Sequence, residues 1–332
     1  MNAANEKPIA KEFTVKEVDA VEIISLVDNS VDFLSSVNKR QVQSFRQWTK
    51  ERYGQEWART RTQLPCAEHG FSMLIRVFLE GTATSVLFDT GISPNGIVEN
   101  ANCMGINLRE VESIVISHGH YDHFGGLLSV VKAVNKADLP VIVHENMFKT
   151  RGSANSKGAV RKYPEFPTTA ELSPARLVST KQASLTANGM VCVTGEIPRK
   201  TSFETGYTQH KAFVGGVWKS DPWIVDERAV AINIRERGLV VLSGCAHAGI
   251  INTVTYAQQI TGTKKVYAVM GGFHLAGKTF ENRIQPTIEE LKRINPELIV
   301  SSHCTGWRAM CAMAKAFPGA FLWNSVGNLY QF

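Results

Sequence analysis

The sequence predicts an α/β protein whose core is two layers of β-sheet with helices on the outside. Two observations support this prediction. Short apolar, β-rich runs alternate with longer stretches of helical periodicity, and the alternation recurs in both halves of the chain. With 332 residues and a hydrophobic content of 44%, the chain can bury a large core. We therefore expect one domain that spans residues 1–332.

Each element is predicted from its own periodicity. Strands are predicted as β-branched runs bounded by turn residues, at residues 21–29, 71–91 (a hairpin that turns at Glu80 and Gly81), 111–118, 139–146, 229–244 (a hairpin that turns at 236–238), 264–275 and 297–306. Apolar residues three and four positions apart predict helices at residues 125–137, 248–260 and 287–294. Several strands lead directly into loops that carry histidine.

Two segments interrupt this pattern. Residues 38–63 are polar, basic and rich in Trp and Arg, and we predict an exposed helix or excursion outside the core. In residues 147–180, prolines, glycines, serines and basic side chains predict a long loop, which we interpret as a lid or insertion.

Charge and cysteine content narrow the class of protein. The net charge of +6 and the pI near 9.0 come from 36 basic and 30 acidic residues spread along the chain. This surplus fits a small anionic substrate, and no nucleic-acid partner is expected. The six cysteines form no CxxC pair, which favours reduced thiols and a cytoplasmic location. The sequence shows neither an apolar signal-peptide region nor a run of roughly 20 apolar residues, so no contact with a membrane is expected. The oligomeric state stays open.

The clearest functional signal is HGHYDH at residues 118–123, directly after a predicted strand. His118 and His120, at alternate positions of an extended segment, can face one metal ion, and the adjacent Asp122 and His123 can reach a second point close by. Imidazole and carboxylate ligands suit zinc, with iron or manganese as alternatives. Two divalent metal ions explain this spacing better than one. The alternative, a solvated polar loop, is disfavoured because histidine is scarce in the chain.

The segment SHGHYDHFGG resembles the metal-binding signature of the metallo-β-lactamase superfamily. Three later segments, LSGCAHAGIINTV, GGFHL and SSHCTG, resemble the branch that includes the archaeal dihydropterin-ribofuranosylaminobenzene-phosphate synthase and many metallo-hydrolases. The resemblance extends from about residue 21 to the C-terminal region. It implies an αββα sandwich of two mixed sheets flanked by helices, with two metals at one edge of the sheets.

The resemblance also implies a ligand set. Matching positions assign His118 and His120, completed by His247, to the first metal, and Asp122, His123 and His303 to the second. For His247 and His303 the alternative is a buried histidine that bonds a backbone carbonyl, but both follow apolar strands in turns that contain glycine.

One position departs from the pattern of the hydrolases. Where many relatives end a strand with Gly-Asp, the aspartate that bridges both metals, this chain has Gly244-Cys245. The bridging carboxylate therefore stays unassigned. Cys245 is expected either to ligate a metal as thiolate or to be an inert buried cysteine, and the inert role is slightly favoured.

Further residues are expected to line the cleft. Those expected to contact substrate are Glu68, His69, Arg199 and His274. Asp122 and His274 are expected to be catalytic, although His274 is also compatible with a role as an extra ligand or with a structural role. Asp89, at a strand end, is expected either to orient a ligand histidine or to serve as a turn residue.

These features predict a metal-dependent hydrolase that acts on a small, anionic or phosphate-bearing molecule. Two metals lower the pKa of a bridging water and polarise the bond that is cleaved. Basic residues expected to hold the anion are Arg151, Lys157, Arg161 and Lys162 in the lid, together with Arg199. The alternative is a synthase that condenses a phosphorylated, pterin-type substrate on the same metal site. A binding protein that has lost catalysis is a third, disfavoured class.

Overall fold

The computed structural model describes residues 14–37 and 39–332. Within these residues, the strands are β1 (Glu17–Val18), β2 (Ala20–Val27), β3 (Val42–Gln43), β4 (Ser72–Leu79), β5 (Thr82–Phe88), β6 (Val111–Val115), β7 (Pro140–Val143), β8 (Arg151–Ala154), β9 (Val160–Lys162), β10 (Arg176–Ser179), β11 (Ser184–Thr186), β12 (Val191–Val193), β13 (His210–Val214), β14 (Val217–Ser220), β15 (Ala229–Ile234), β16 (Gly238–Ser243), β17 (Val266–Gly272), β18 (Leu298–Ser302), β19 (Phe321–Trp323) and β20 (Leu329–Gln331). The helices are α1 (Phe45–Tyr53), α2 (Gln55–Thr60), α3 (Gly96–Cys103), α4 (Tyr121–Phe124), α5 (Leu127–Val134), α6 (Ile250–Thr261), α7 (Ile284–Ile294) and α8 (Trp307–Ala316).

Two eight-stranded sheets form the core. The first sheet has the order β10-β7-β6-β5-β4-β2-β20-β3, and the second has the order β11-β12-β15-β16-β17-β18-β19 with β1 beside β15. Both sheets are mixed: β5, β6 and β7 run parallel, as do β16, β17, β18 and β19, whereas the hairpins β4–β5 and β15–β16 are antiparallel. The first hairpin turns at Glu80 and Gly81, as predicted, and both residues have positive φ.

Alternation along the strands separates the layers. In β2, Val21 and Ile23 pack in the core between the sheets together with Val230 and Ile232 of β15, whereas Ile24 of β2 faces the other way. On that outer face the first sheet packs against α1, α3 and α5. The outer face of the second sheet packs against α6, α7 and α8. The predicted αββα sandwich is therefore confirmed.

The sequence predicted an exposed helix or excursion outside the core for residues 38–63, and this prediction is only partly correct. The segment contains α1 and α2, and α1 packs on the first sheet. Trp48 is 1% exposed, and its indole Nε1 donates to the carbonyl of Gly327 at 2.7 Å. Polar residues dominate the composition of this segment, but α1 has a buried face, which includes Phe45 and Trp48, and this face packs on the first sheet. Asn38 lies outside the described residues.

The prediction of a long loop over residues 147–180 is wrong in its secondary structure. The segment contains β8, β9 and β10. β10 extends the first sheet beside β7, while β8 and β9 join β13 and β14 in a third, four-stranded sheet of order β14-β13-β8-β9. Short strands with Gly, Ser and basic residues resemble loop composition, which explains the error. A role of this segment as a lid stays a prediction.

Among the described residues, no helix combines the length and the apolar character needed to cross a membrane. A single domain over the whole chain also stays a prediction.

Candidate metal centre

The candidate centre lies where parallel strands of both large sheets end. β6 leads to His118, β16 to Cys245, β17 to His274 and β18 to His303. Parallel neighbours end at the same edge of a sheet, so loops that are distant in sequence meet there. Of the nine histidines in the chain, eight are linked one to the next by ring-centroid distances of 4.1 to 5.1 Å. These are His69, His118, His120, His123, His210, His247, His274 and His303.

Three histidines converge on a first point. His118 Nε2 lies 2.9 Å from His120 Nδ1 and 3.2 Å from His247 Nε2. Burial, reinforced by neighbouring imidazoles, holds the pKa of each of the three rings well below its usual range. The rings are therefore neutral, and neutral imidazoles are the form that binds metal ions.

A second group surrounds Asp122. Its Oδ2 lies 3.4 Å from His303 Nε2 and 3.9 Å from His123 Nε2. Burial alone would raise the pKa of Asp122, but His123 and His303 outweigh this effect and hold the pKa well below its usual range. The group therefore offers one anionic and two imidazole ligands.

Cys245 lies between the two groups. Its Sγ is 3.2 Å from His123 Nε2, and it lies within 4.8 Å of ligand atoms from His118 and His123, from His247 and His274, and from His303 and Cys304. Burial and the Cys304 thiol raise the pKa of Cys245, so the metal-free thiol is protonated. This position is compatible with coordination, and both alternatives for Cys245, a thiolate ligand or an inert buried cysteine, stay open.

The donor set fits divalent metal ions. Ligand atoms of His118, His120 and His247 lie within 4.8 Å of one another, as do those of Asp122, His123 and His303. His274 is partly exposed, but both of its ring nitrogens are buried, and neither has a hydrogen-bond partner among the described residues. Clusters of buried, uncharged ring nitrogens are costly unless something binds their lone pairs. Bound cations would meet this requirement.

Asp89 orients two residues of this centre. Its Oδ2 lies 2.6 Å from His123 Nδ1, and it accepts from the Ser117 hydroxyl at 2.7 Å. Burial disfavours the charged imidazole, but Asp89 and Asp122 outweigh burial and raise the pKa of His123. The contact agrees with the first alternative for Asp89, a carboxylate that orients a histidine, while metal binding by that histidine stays a prediction. A Cβ at Gly244 would lie 2.2 Å from Ser117 Oγ, which explains the glycine there.

Two adjacent carboxylates, Asp226 and Glu227, hold the ligand loops and were missed by the sequence analysis. Asp226 Oδ2 accepts from the N–H of Gly119, between the two histidines of the HGH motif, at 2.8 Å. Glu227 accepts from the N–H groups of His247 and Ala248 at 2.6 and 2.5 Å. Burial raises the pKa of Glu227 to about 7. The sequence feature that could have identified them is DER at 226–228, three charged residues directly before a buried strand.

Arg151 does not serve the anion-binding role that the sequence predicted for it in a lid. The residue is 2% exposed, and its guanidinium forms two hydrogen bonds with the carboxylate of Asp226, at 2.7 and 2.5 Å. A charge this deeply buried is stable only when it is paired. Arg151 therefore supports the loop that carries His118 and His120.

The residues predicted to bind substrate surround the centre in different ways. His69 is exposed and its Nε2 lies 3.5 Å from Asp122 Oδ2. Glu68 Oε1 accepts from the N–H groups of Ile92 and Ser93 at 3.1 Å. Arg199 donates to the carbonyl of His247 at 3.2 Å and also to that of Trp223. Glu68 and Arg199 thus already bond the backbone, and substrate contact by either stays a prediction.

Comparison with known proteins identifies the family of the chain. The family model described as "Metallo-beta-lactamase superfamily" matches residues 68–199. The 7,8-dihydropterin-6-methyl-4-(beta-D-ribofuranosyl)-aminobenzene-5'-phosphate synthase of Methanocaldococcus jannaschii is 33% identical over 280 residues, which is 80% of this chain and 90% of that protein. The chain belongs to the metallo-beta-lactamase superfamily. A second protein of that organism, "Uncharacterized protein MJ0448", is 29% identical over 79% of this chain and 93% of its own length.

Solved structures show that this superfamily member has the fold of its relatives. Tm1679, described as a metal-dependent hydrolase of the beta-lactamase superfamily, superposes with a TM-score of 0.68 at 23% identity, covering 94% of this chain and 98% of its own. YhfI from Bacillus subtilis gives a TM-score of 0.50 at 11% identity, covering 95% and 100%. At these identities the likeness establishes the fold.

Proposed function

We propose that this superfamily member is a metal-dependent hydrolase of a small anionic molecule. The observation that carries the proposal is the pair of three-residue ligand groups, His118-His120-His247 and Asp122-His123-His303, at one edge of the sheets. Each group would hold one divalent ion. Zinc suits the imidazole, carboxylate and thiol donors best, with iron or manganese as alternatives.

When bound, such ions activate a water molecule for attack and polarise the bond that is cleaved. The residues of the chain prepare the site for this chemistry. Asp89 fixes the ring of His123, and Glu227 fixes the loop of His247. Burial lowers the pKa of His274 to about 3, so this ring is neutral, and its free nitrogens are suited to a hydrogen bond with the substrate or to a metal ion rather than to accepting a proton.

Basic side chains near the centre support an anionic, phosphate-bearing substrate. The guanidinium of Arg161 lies 5.3 Å from the ring of Tyr163, which in turn lies 5.5 Å from His120. Arg283 lies 4.5 Å from the ring of Phe280, which is 4.5 Å from His274, but Arg283 is buried and already donates to Thr205 Oγ1, so Arg161 is the better candidate. Arginine is well suited to grip phosphate because its planar fork can donate two parallel hydrogen bonds.

A second candidate is a synthase that condenses a phosphorylated, pterin-type substrate on the same site. Two observations favour it: the relative that is 33% identical bears a synthase name, and Cys245 stands where many hydrolases of the superfamily have a bridging aspartate. The ligand groups are compatible with both reactions, since in either reaction the ions would polarise the bond that breaks.

One experiment separates the two candidates. Elemental analysis of the purified protein is followed by assays with phosphodiesters, lactones and thioesters in ¹⁸O-labelled water. A parallel assay supplies a pyrophosphorylated dihydropterin and ribofuranosylaminobenzene 5'-phosphate. Incorporation of ¹⁸O into the product of one ester class, lost in Asp122→Ala, would support the hydrolase. A condensed product would support the synthase, and a protein that binds no divalent metal would overturn both.

A further inference from the structure

His210 is a buried histidine beside the candidate metal centre that the sequence analysis did not select. It is the first residue of β13, in the small four-stranded sheet, and it is fully buried. Its Nε2 lies 3.0 Å from Nε2 of His120, and the two ring centroids are 5.1 Å apart. His210 belongs to neither of the ligand groups described above, and among the described residues its hydrogen-bond and ring contact with those groups is the one with His120.

The second ring nitrogen of His210 defines which atoms carry protons. His210 Nδ1 lies 2.7 Å from the backbone carbonyl oxygen of Asp221. A carbonyl oxygen can only accept, so Nδ1 must carry the hydrogen and donate it. In the neutral ring, Nε2 of His210 is then an acceptor, and the group that faces it must donate. That group is Nε2–H of His120.

This arrangement selects one tautomer of His120. With the hydrogen on Nε2, Nδ1 of His120 carries a free lone pair, and Nδ1 is the atom that lies 2.9 Å from His118 Nε2 in the first ligand group. Histidines that bind metals usually donate their other N–H to a carboxylate, a carbonyl or water, which fixes the tautomer and the ring orientation. Here a second imidazole occupies the acceptor position.

The backbone around His210 is held from two sides. The N–H of Asp221 donates to the carbonyl of His210 at 3.1 Å. His210 and Asp221 are thus joined by two hydrogen bonds, one between their main chains and one from the His210 ring to the Asp221 carbonyl. β13 pairs with β8, with Ala212 opposite Arg151, and Arg151 in turn pairs with Asp226. The small sheet is thus tied to the ligand loop both through His210 and through Arg151.

We propose that His210 is a positioning residue that accepts a hydrogen bond from His120 and holds it in the tautomer that binds metal. The proposal rests on the proposed function only in requiring that the centre binds a divalent ion. It assigns the small sheet a role in building the centre, distinct from that of a lid.

The test uses the full chain with Co²⁺ as the only probe. His210→Phe keeps the ring volume but removes the acceptor, whereas His210→Gln places an amide oxygen near the position of Nε2. His144→Phe is the matched control, because His144 is also fully buried but bonds Glu196 and the Asn146 N–H outside the histidine cluster. Co²⁺ affinity and the visible absorption of the bound ion are measured for each variant, and circular dichroism verifies folding.

The expected result is a loss of about 10- to 100-fold in Co²⁺ affinity and an altered visible spectrum for His210→Phe. His210→Gln should retain most of the affinity, and His144→Phe should match the wild type. Wild-type affinity and spectrum in a folded His210→Phe would overturn the inference, as would equal losses in His210→Phe and His210→Gln. A wild-type protein that binds no Co²⁺ would instead overturn the proposed function, and the inference with it.

Discussion

Glu227 is the buried carboxylate that holds the loop of His247, and its replacement by glutamine should separate stability from metal binding. The two carboxylate oxygens accept from two consecutive backbone N–H groups, of His247 at 2.6 Å and of Ala248 at 2.5 Å. Glutamine has nearly the same shape, but one of its two terminal groups is a donor. One of the two N–H groups must therefore lose its acceptor.

In the metal-free protein, the effect on stability depends on pH. Burial raises the pKa of Glu227 from 4.5 to about 7. For a carboxyl whose pKa is raised by folding, stability is fully present below the unfolded pKa and is lost as the pH rises through the folded pKa. The loss amounts to about 3 kcal/mol when Glu227 is fully ionised. Since glutamine does not titrate, the stability of E227Q relative to the wild type should rise by about 2–3 kcal/mol between pH 5 and pH 9.

Metal binding should change in the opposite direction. An N–H group that is buried without an acceptor costs about 1–3 kcal/mol, and here it belongs to the loop that presents the His247 ring. Substitutions of residues that support metal ligands lower metal affinity by about 10- to 100-fold, and we expect E227Q to lie in this range. A variant whose stability relative to the wild type rises with pH, yet which binds metal less tightly, would be hard to explain by general unfolding.

The assay is urea unfolding of chelator-treated protein from pH 5 to pH 9, combined with competition for zinc by a chromophoric chelator. Asp226→Asn is the comparison, because Arg151 outweighs burial and holds the pKa of Asp226 well below its usual range. Breaking that buried pair should cost about 3–5 kcal/mol, a penalty that persists above pH 5 and shrinks only in acid. A pH-independent difference between E227Q and the wild type would refute the reasoning, as would the same pH profile for both variants.

Three further predictions test the centre and its surroundings. Cys245→Ser should abolish the thiolate-to-metal charge-transfer absorption of the Co²⁺-loaded protein, and an unchanged near-ultraviolet spectrum would show that the thiol is inert. The double variant His118→Ala, His120→Ala should lose metal while circular dichroism stays native, since the ligands cap strand ends rather than fill the core; two retained metal equivalents would contradict the assignment. Arg161→Ala should raise KM for an anionic substrate more than it lowers kcat. Lys162 was also expected to hold the anion, but it is paired with Glu165, so Lys162→Ala should leave KM nearly unchanged; equal KM values for the two variants would argue against an anion-binding role for Arg161.

The sequence was sufficient for the fold and for the loops of the centre because both depend on local patterns. Apolar alternation predicted the hairpins and the strands that end at His118 and His303, and the structure confirms these elements. The predicted ligands are brought together, although metal binding by them stays a prediction. Short strands in residues 147–180 were missed because their pairing partners, β7 and β13, are distant or follow later in the chain, and composition alone does not show such pairing.

The residues that support the ligands could not be predicted in the same way. Asp226 and Glu227 reach Gly119 and His247 across gaps of 107 and 20 positions, and His210 reaches His120 across 90. None of these contacts leaves a periodic pattern, because each depends on where a turn places one side chain. A charged triplet directly before an apolar strand, as in DER at 226–228, is the only local sign that such residues carry a buried role.

The same supporting layer fixes the backbone at position 245 independently of the side chain that the residue carries. The end of β16 is set by the contact of Gly244 with Ser117 and Asp89, where a Cβ would lie 2.2 Å from one side chain and 2.7 Å from the other. The backbone at Cys245 is thus fixed before its side chain contributes anything. An exchange of carboxylate for thiol then changes the donor atom between the two ligand groups and leaves their positions alone. Because thiolate favours zinc over manganese or magnesium, whereas carboxylate accepts all three, we infer that position 245 tunes the metal and its chemistry on a scaffold built by Asp89, Ser117 and Gly244.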